Sequence, residues 1–276
     1  MLELPESNTL ARQLADRLTG RTITKAEAGH SPHGFAFYFG EPEKYAAFLS
    51  GARIDGAAAN GGMIEVTAGD KHLLFGDGVN LRTIAAGEKR PPKHQLLLEF
   101  DDGSAVAGTV QMYGLLYAFP SGANDGNFYY MAARKKPSPL SAEFTKLYFE
   151  GLLSELKPSM SAKGFLATEQ RIPGLGNGVL QDILFQAGIH PKNKVGGFSS
   201  ADLDRLYRSV KETLSEMTRK GGRDTEKDLY GNPGGYGTIL SAKTWKNPCP
   251  VCGGKLIRQA YLGGNVYFCP NCQPQK

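Results

Sequence analysis

Residues 247–276 read NPCPVCGGKLIRQAYLGGNVYFCPNCQPQK, and they hold all four cysteines of the 276-residue chain. Cys249 and Cys252 form one Cys-x-x-Cys knuckle and Cys269 and Cys272 a second, with sixteen residues between the knuckles. A two-residue gap lets both thiolates of a knuckle face one ion, and the glycines after Cys252 let backbone amides turn towards sulfur. Between the knuckles, KLIRQAY and NVYF alternate like two strands around an LGGN turn. Four thiolates suit one tetrahedral Zn²⁺ with no open position, which makes the ion structural. A hairpin this small depends on such an ion for its shape. Four unliganded thiols or an iron–sulfur centre are the weaker readings of the same spacing. The clustering also argues against disulfides spread through a secreted domain.

A second informative stretch lies upstream, QRIPGLGNGVLQDILFQAGIHP at residues 170–191. Pro173-Gly174-Leu175-Gly176-Asn177 is a tight turn leading into a helix from Gly178 to about Ala187. Such a turn presents unpaired amides at a helix N-terminus, where phosphate oxygens bind well. Asn177 is placed either to cap that helix or to donate to a phosphate; a purely structural turn is an equal reading of these residues alone.

The rest of the chain divides around these features. Ser7 or Asn8 is expected to cap a helix carrying Leu10, Leu14 and Leu18 and stopping at Gly20. From about Arg21 to Met131, short alternating runs such as GFAFYFG and HQLLLEFDDGSAVAGTVQMYG are broken by glycine turns, the pattern of an antiparallel β-sandwich or barrel. RKKPSPLS, residues 134–141, reads as a linker. Helical periodicity follows, including SADLDRLYRSVKETLSEMTRKG behind a Ser199-x-x-Asp202 capping box. The expected fold class is therefore α+β and multidomain. A β-sandwich with an N-terminal helix (1–133) leads through the linker to a helical domain (142–244) and the cysteine hairpin (245–276).

Composition excludes little. The hydrophobic and charged fractions, 41% and 21%, are those of an ordinary globular protein. No apolar run is long enough for a membrane helix, and Glu3, Glu6, Arg12 and Asp16 interrupt the start, unlike a signal peptide. The expected location is cytoplasmic, without a membrane partner. A net charge of +5 leans towards polyanionic partners, although a mildly basic enzyme explains it as well.

Taken together, the β-rich half, the GLGN turn between helices and the Cys-x2-Cys-x16-Cys-x2-Cys hairpin resemble the formamidopyrimidine-DNA glycosylase and endonuclease VIII family over essentially the whole chain. LELPE at residues 2–6 resembles that family's mature start, Pro-Glu-Leu-Pro-Glu, and GLGNGVLQDILFQAGIHP its helix–two-turn–helix element. The resemblance implies base-excision repair by a chain acting as a monomer on damaged duplex DNA at the nucleoid. A base is flipped out, its glycosidic bond is cut, and inserted side chains fill the gap in the stack.

That resemblance also implies roles. Glu3 aligns with the carboxylate used for proton transfer to the sugar, and Glu6 with the motif's second acid. Asn177 matches the phosphate-binding asparagine, and Lys163 lies near a basic position of the same element. Gln111-Met112-Tyr113 occupies the loop that probes the stack, unless Met112 and Tyr113 simply finish a core strand. Arg223 and Lys227 stand in the glycine-rich segment 221–240, which covers the everted base in the family; they are expected either to contact DNA or to be solvated loop charges.

Several positions depart from the pattern. Leu2 replaces the proline whose amine is the family's nucleophile, and its bulk should hinder removal of Met1. Asn60 and Asp77 stand where a DNA-contacting lysine and a void-filling methionine are expected, and Gly264 where a basic hairpin tip is expected. Four functions remain open at this level. They are a glycosylase working by hydrolysis through Glu3, a lyase using the Met1 amine or a lysine such as Lys71, a non-catalytic binder of damaged or structured nucleic acid, and a zinc-stabilised protein-interaction module.

Overall fold

The computed structural model describes all 276 residues. The first helix, α1, spans Leu4–Leu18 and so begins earlier than a Ser7 or Asn8 cap would set it. Pro5 causes the shift: its fixed φ suits a first helical turn, where its missing N–H costs nothing. Glu6 lies in the same turn, where the helix dipole favours an acid. Ser7 is therefore inside the helix, its hydroxyl 3.0 Å from the Leu4 carbonyl and 2.5 Å from that of Gly61.

The sheet half contains β1 (Ile23–Ala28), β2 (Ala36–Phe37), the short helix α2 (Tyr45–Leu49), β3 (Gly56–Asn60), β4 (Met63–Ala68), β5 (Lys71–Ile84), β6 (Leu96–Phe100) and β7 (Ala105–Pro120). The strands run in the order β1-β6-β7-β5-β4-β3 with antiparallel neighbours, and β2 lies parallel beside β7. β5 and β7 serve both layers. Residues 71–75 of β5 pair with β4, whereas residues 79–84 face the part of β7 whose other edge holds β6. One core is filled from both ends of the sheet, by Ile64 and Phe75 on one side and Leu98 and Val106 on the other, with Leu10, Leu14 and Leu18 of α1.

The change of layer coincides with a break in register. Asp77 pairs with Gly114 but Val79 with Val110, so Gly78 alone stands opposite Gln111, Met112 and Tyr113. The surplus residues are pushed outward, as in other bulges. A Cβ on Gly78 would lie 2.5 Å from the Tyr113 carbonyl oxygen, and Asp77 takes a φ of 57°.

The second half contains α3 (Phe128–Lys135), α4 (Lys146–Ser154), α5 (Ala162–Ala167), α6 (Asn177–Ala187), α7 (Ser200–Arg219) and the hairpin β8 (Ile257–Tyr261) and β9 (Gly264–Phe268). α3 has no counterpart in the sequence reading, and the linker expected at 134–141 begins inside it. Asn127 caps it by accepting the Tyr130 amide, while buried Tyr130 sends its hydroxyl to Glu65. The Ser199–Asp202 capping box of α7 is formed. A second core gathers Phe149, Phe165, Leu180 and Leu214 with Leu4. No helix is long and apolar enough to cross a membrane.

Residues 2–4 join the two cores. Leu2 is buried in the sheet core and Leu4 in the helical core, with Glu3 between them. Each leucine contributes about 1.5–3 kcal/mol by burial, and together they fix Glu3 at the seam.

Candidate active site at the seam of the two cores

The backbone around Glu3 is held from three directions. The Leu2 amide donates to the Asp77 carbonyl at 2.6 Å, and the Leu4 amide to that of Gly174 at 2.8 Å. The turn at Gly61-Gly62 presses against Gly174 so closely that a Cβ on Gly174 would lie 2.5 Å from the Gly61 carbonyl carbon. Gly174 also has a φ of 81°, which a side chain would strain.

Glu3 itself is 3% exposed. Its Oε1 accepts the Gly178 amide at 2.8 Å and its Oε2 the Val179 amide at 2.7 Å. Gly176, at the head of α6, has no side chain to cap it, so the carboxylate of Glu3 does so from the other half of the chain. The helix dipole and two free amides make this a natural anion seat.

Arg223 completes the arrangement. Its Nη1 lies 3.4 Å from Glu3 Oε2, its Nε donates to Glu6 Oε1 at 3.0 Å and its Nη2 to Glu6 Oε2 at 2.8 Å. The Arg223 amide adds a bond to Glu6 Oε1 at 3.0 Å, and Nη2 reaches the Met1 carbonyl at 3.4 Å. The Met1 ammonium pairs with Glu226. Burial pushes the Glu3 carboxyl above the usual carboxylate range; Arg223 pulls it back, Glu6 raises it further, and the two amides lower it. Burial also opposes the charge on Arg223, but Glu3 and Glu6 hold the guanidinium protonated.

This corrects the expectation that Arg223 contacts DNA: it is 3% exposed and committed to two buried acids. The surrounding glycine-rich segment is tied down rather than loose. Asp224 accepts from Thr238, Asp228 from the amides of Tyr230 and Asn232, and Gln13 of α1 grips Asp228 and Leu229. Lys227, in contrast, is exposed.

Lys163 requires the same correction. It is buried, and its ammonium donates to the Tyr261 carbonyl at 2.7 Å, tying α5 to the hairpin. The Asn177 carboxamide is also turned inward: its Nδ2 donates to the Asn265 carbonyl at 3.0 Å, and its Oδ1 is buried without a partner. Gly264 lies against it, where a Cβ would meet Asn177 at 3.3 Å. Gln111, Met112 and Tyr113 are all exposed, Met112 at 67%, so they do not finish a core strand. Asp77 is next to the seam through its bond with Leu2, and burial pushes its carboxyl up. Asn60 donates to Glu65 at 2.8 Å. Lys71 opens β5, six residues and hence about 20 Å of strand from Asp77, with its ammonium over the Phe48 ring.

Two residues of α6 escaped sequence reading. Asp182 is buried and accepts the amides of Ile239 and Leu240 at 2.9 and 2.7 Å, and burial raises its carboxyl to about 6. Gln181 accepts the Tyr267 amide at 2.9 Å and donates to the Asn265 carbonyl at 3.1 Å. The available signal was two adjacent polar residues within an otherwise apolar helix.

The four cysteines converge at the base of the hairpin, with Sγ atoms 3.7 Å apart for Cys249 and Cys272 and 3.5 Å for Cys252 and Cys269. The cluster has the donors to hold a metal ion. The Gly254 amide and then Cys269 draw the Cys252 thiol down to about 6, whereas burial followed by its neighbours pushes Cys272 to about 12. All four can be thiolates together only around a cation.

Comparison with known proteins agrees with this architecture. Residues 1–115 match the formamidopyrimidine-DNA glycosylase N-terminal domain. Formamidopyrimidine-DNA glycosylase of Symbiobacterium thermophilum is 29% identical across 99% of this chain and 90% of its own length. That of Bacillus subtilis is 26% identical across the full length of both. Among solved structures, the MutM (Fpg) protein of Thermus thermophilus superposes with a TM-score of 0.82 at 24% identity, covering 99% of each chain. Lactococcus lactis Fpg in complex with DNA containing an abasic site gives 0.82 at 24% identity, covering 99% of this chain and 100% of its own. The sheet, the helical half and the cysteine hairpin are thus matched from end to end by formamidopyrimidine-DNA glycosylases, and the first 115 residues match the N-terminal domain of that family.

Proposed function

We propose that the protein is a DNA glycosylase that releases damaged bases by hydrolysis, with Glu3 as the acting carboxylate and without Schiff-base chemistry. The observation that carries this reading is the Glu3 side chain, fixed at the seam by two helix amides and an arginine. Its relatives carry the name formamidopyrimidine-DNA glycosylase, and the Lactococcus neighbour is seen with abasic-site DNA.

The nitrogens of the first two residues are unsuited to attack. That of Leu2 is a peptide nitrogen, its lone pair delocalised, donating to Asp77. The Met1 amine is drawn away from Glu3 by its pairing with Glu226. Water is the remaining nucleophile. Glu3 Oε1 accepts one amide and so keeps a lone pair for it. Water adds to C1′, its proton passes to Glu3, and the glycosidic electrons leave with the base. The developing positive sugar is stabilised by the same carboxylate. Met112 and Tyr113, raised on the bulge, are the side chains that enter the emptied stack. Lys227 faces the DNA backbone; action at the nucleoid follows from the substrate.

The cysteine cluster holds one Zn²⁺. Zn–S bonds of about 2.3 Å imply sulfurs about 3.8 Å apart in a tetrahedron, close to the separations of 3.7 and 3.5 Å here. The ion is structural and keeps the hairpin folded against Asn177, Gln181 and Lys163.

One observation favours a second reading, a non-catalytic binder of damaged DNA: Arg223 pairs with both carboxylates. Base release and strand nicking on oxidised, alkylated and deaminated duplexes separate the two. Release without nicking, no borohydride-trapped adduct, and a loss of about 10²-fold or more in Glu3→Gln support hydrolysis. Tight duplex binding with no base released from any lesion selects the binder.

A further inference from the structure

β1 is an edge strand of the sheet, and beside it three side chains converge that the proposed reaction does not use. Glu27 comes from β1, His30 from the turn after it, and His94 from the approach to β6. Glu27 Oε1 lies 2.9 Å from His30 Nδ1 and Glu27 Oε2 lies 3.8 Å from His94 Nε2. One donor atom from each residue falls within 4.8 Å of the others.

The state of His94 is informative. Its Nδ1 sits 3.0 Å from the Pro91 carbonyl oxygen, which can only accept, so Nδ1 carries the proton. In the neutral ring, Nε2 then presents a lone pair. That nitrogen is buried, has no hydrogen-bond partner, and belongs to a side chain only 4% exposed. A buried acceptor with nothing donating to it calls for an explanation. An imidazole whose other nitrogen is anchored to a carbonyl is also how proteins prepare a metal ligand.

The backbone beneath the three residues is fixed. The Gly29 amide donates to the Gln95 carbonyl at 2.9 Å, the Ser31 amide to the His94 carbonyl at 3.0 Å, and the His94 amide to Ser31 Oγ at 3.2 Å. The two imidazoles stack, with centroids 4.4 Å apart and planes 10° from parallel. Lys25 also reaches Glu27 Oε2, at 3.4 Å, but its side chain is 57% exposed and swings into solvent readily. His30, 44% exposed, turns freely about its side-chain bonds.

We propose that Glu27, His30 and His94 form a second metal site, separate from the cysteine cluster, that takes a first-row divalent transition ion such as Zn²⁺, Co²⁺ or Ni²⁺. Two imidazoles and one carboxylate suit these ions, whereas Mg²⁺ and Ca²⁺ favour all-oxygen surroundings. His94 and Glu27 are in position already. His30 tilts out of the stack to bring Nδ1 to the ion, and the remaining coordination positions face solvent. The site does not depend on the glycosylase reading.

Co²⁺ titration of the full-length protein, with its cysteine cluster filled by Zn²⁺, tests the proposal by absorption and calorimetry. One further equivalent should bind, with d–d bands and no thiolate-to-cobalt charge transfer. His94→Ala should abolish that uptake, and His30→Ala, on the surface and safe for folding, should weaken it by about tenfold or more. Both variants should keep their zinc, and His30→Ala its melting profile as well. Absence of Co²⁺ uptake by the wild type, or uptake unchanged in both histidine variants, overturns the proposal.

Discussion

Replacing Arg223 with methionine removes the only cation between Glu3 and Glu6 while keeping the bulk of the side chain's stem. Both acids are buried, and Arg223 satisfies Glu6 through two side-chain bonds of 3.0 and 2.8 Å. Breaking a buried ion pair by removing one partner costs about 3–5 kcal/mol. For a chain of this size each kcal/mol lowers Tm by about 2–4 °C, so a fall of roughly 10 °C is expected near neutral pH. The pH dependence carries the sharper test. Burial already holds the Glu3 carboxyl above its unfolded value against the pull of Arg223, and without Arg223 it rises further. The contribution of Glu3 is intact below the unfolded pKa and lost as pH rises through the folded one. The variant should therefore approach wild-type stability in mild acid and fall away from it towards neutrality. Adding Glu6→Gln should restore more than half of the loss by removing one of the two stranded charges. Thermal unfolding followed by circular dichroism between mildly acidic and mildly alkaline buffers measures all three proteins. A Tm within about 2 °C of wild type at neutral pH, or a deficit independent of pH, would refute the assignment of Arg223 as the counter-charge.

Asp182 offers a second pH test. Burial raises its carboxyl from 3.8 to about 6 in the folded state, so its contribution is complete below 3.8 and lost as pH rises through about 6. Asp182→Asn should flatten the stability curve across that window by about 3 kcal/mol, read from urea midpoints in buffers spanning it. Gly174→Ala brings a Cβ 2.5 Å from the Gly61 carbonyl carbon at a φ of 81° and should cost about 1–3 kcal/mol in chemical unfolding. Met112→Ala, at a side chain 67% exposed, should leave stability within about 0.5 kcal/mol of wild type while weakening binding to a lesion duplex in a fluorescence titration. Cys269→Ser should lose the bound metal by elemental analysis and expose the chain around residues 245–276 to proteolysis.

The fold was legible wherever a local pattern dictates it. The cysteine knuckles, the glycine turn before α6 and the Ser199–Asp202 box each act through neighbours in sequence, and each is found where it was expected. Glu3 could be singled out, but its partners could not, because Gly178, Val179 and Arg223 lie far along the chain. Arg223 and Lys163 read as surface cations because lysine and arginine usually are. Their burial depends on acceptors, Glu6 and the Tyr261 carbonyl, that only the folded arrangement brings near. The early start of α1 is an instance of the same limit in miniature: Pro5 and the Gly61 contact outweigh the capping preference of Ser7.

The threading of Leu2 and Leu4 into different cores has a consequence for the order of events during synthesis. The sheet half can begin to fold as soon as its strands leave the ribosome, yet Glu3 is held by amides 175 and 176 residues later in the chain, and Glu6 by an arginine 217 residues later. Contacts of such separation close late, because the entropy of the intervening loop must be overcome first. The first residues made are thus among the last to be seated. Until Arg223 emerges, the nascent protein has two acids without their shared cation, so the seam closes only on a chain already complete through that residue.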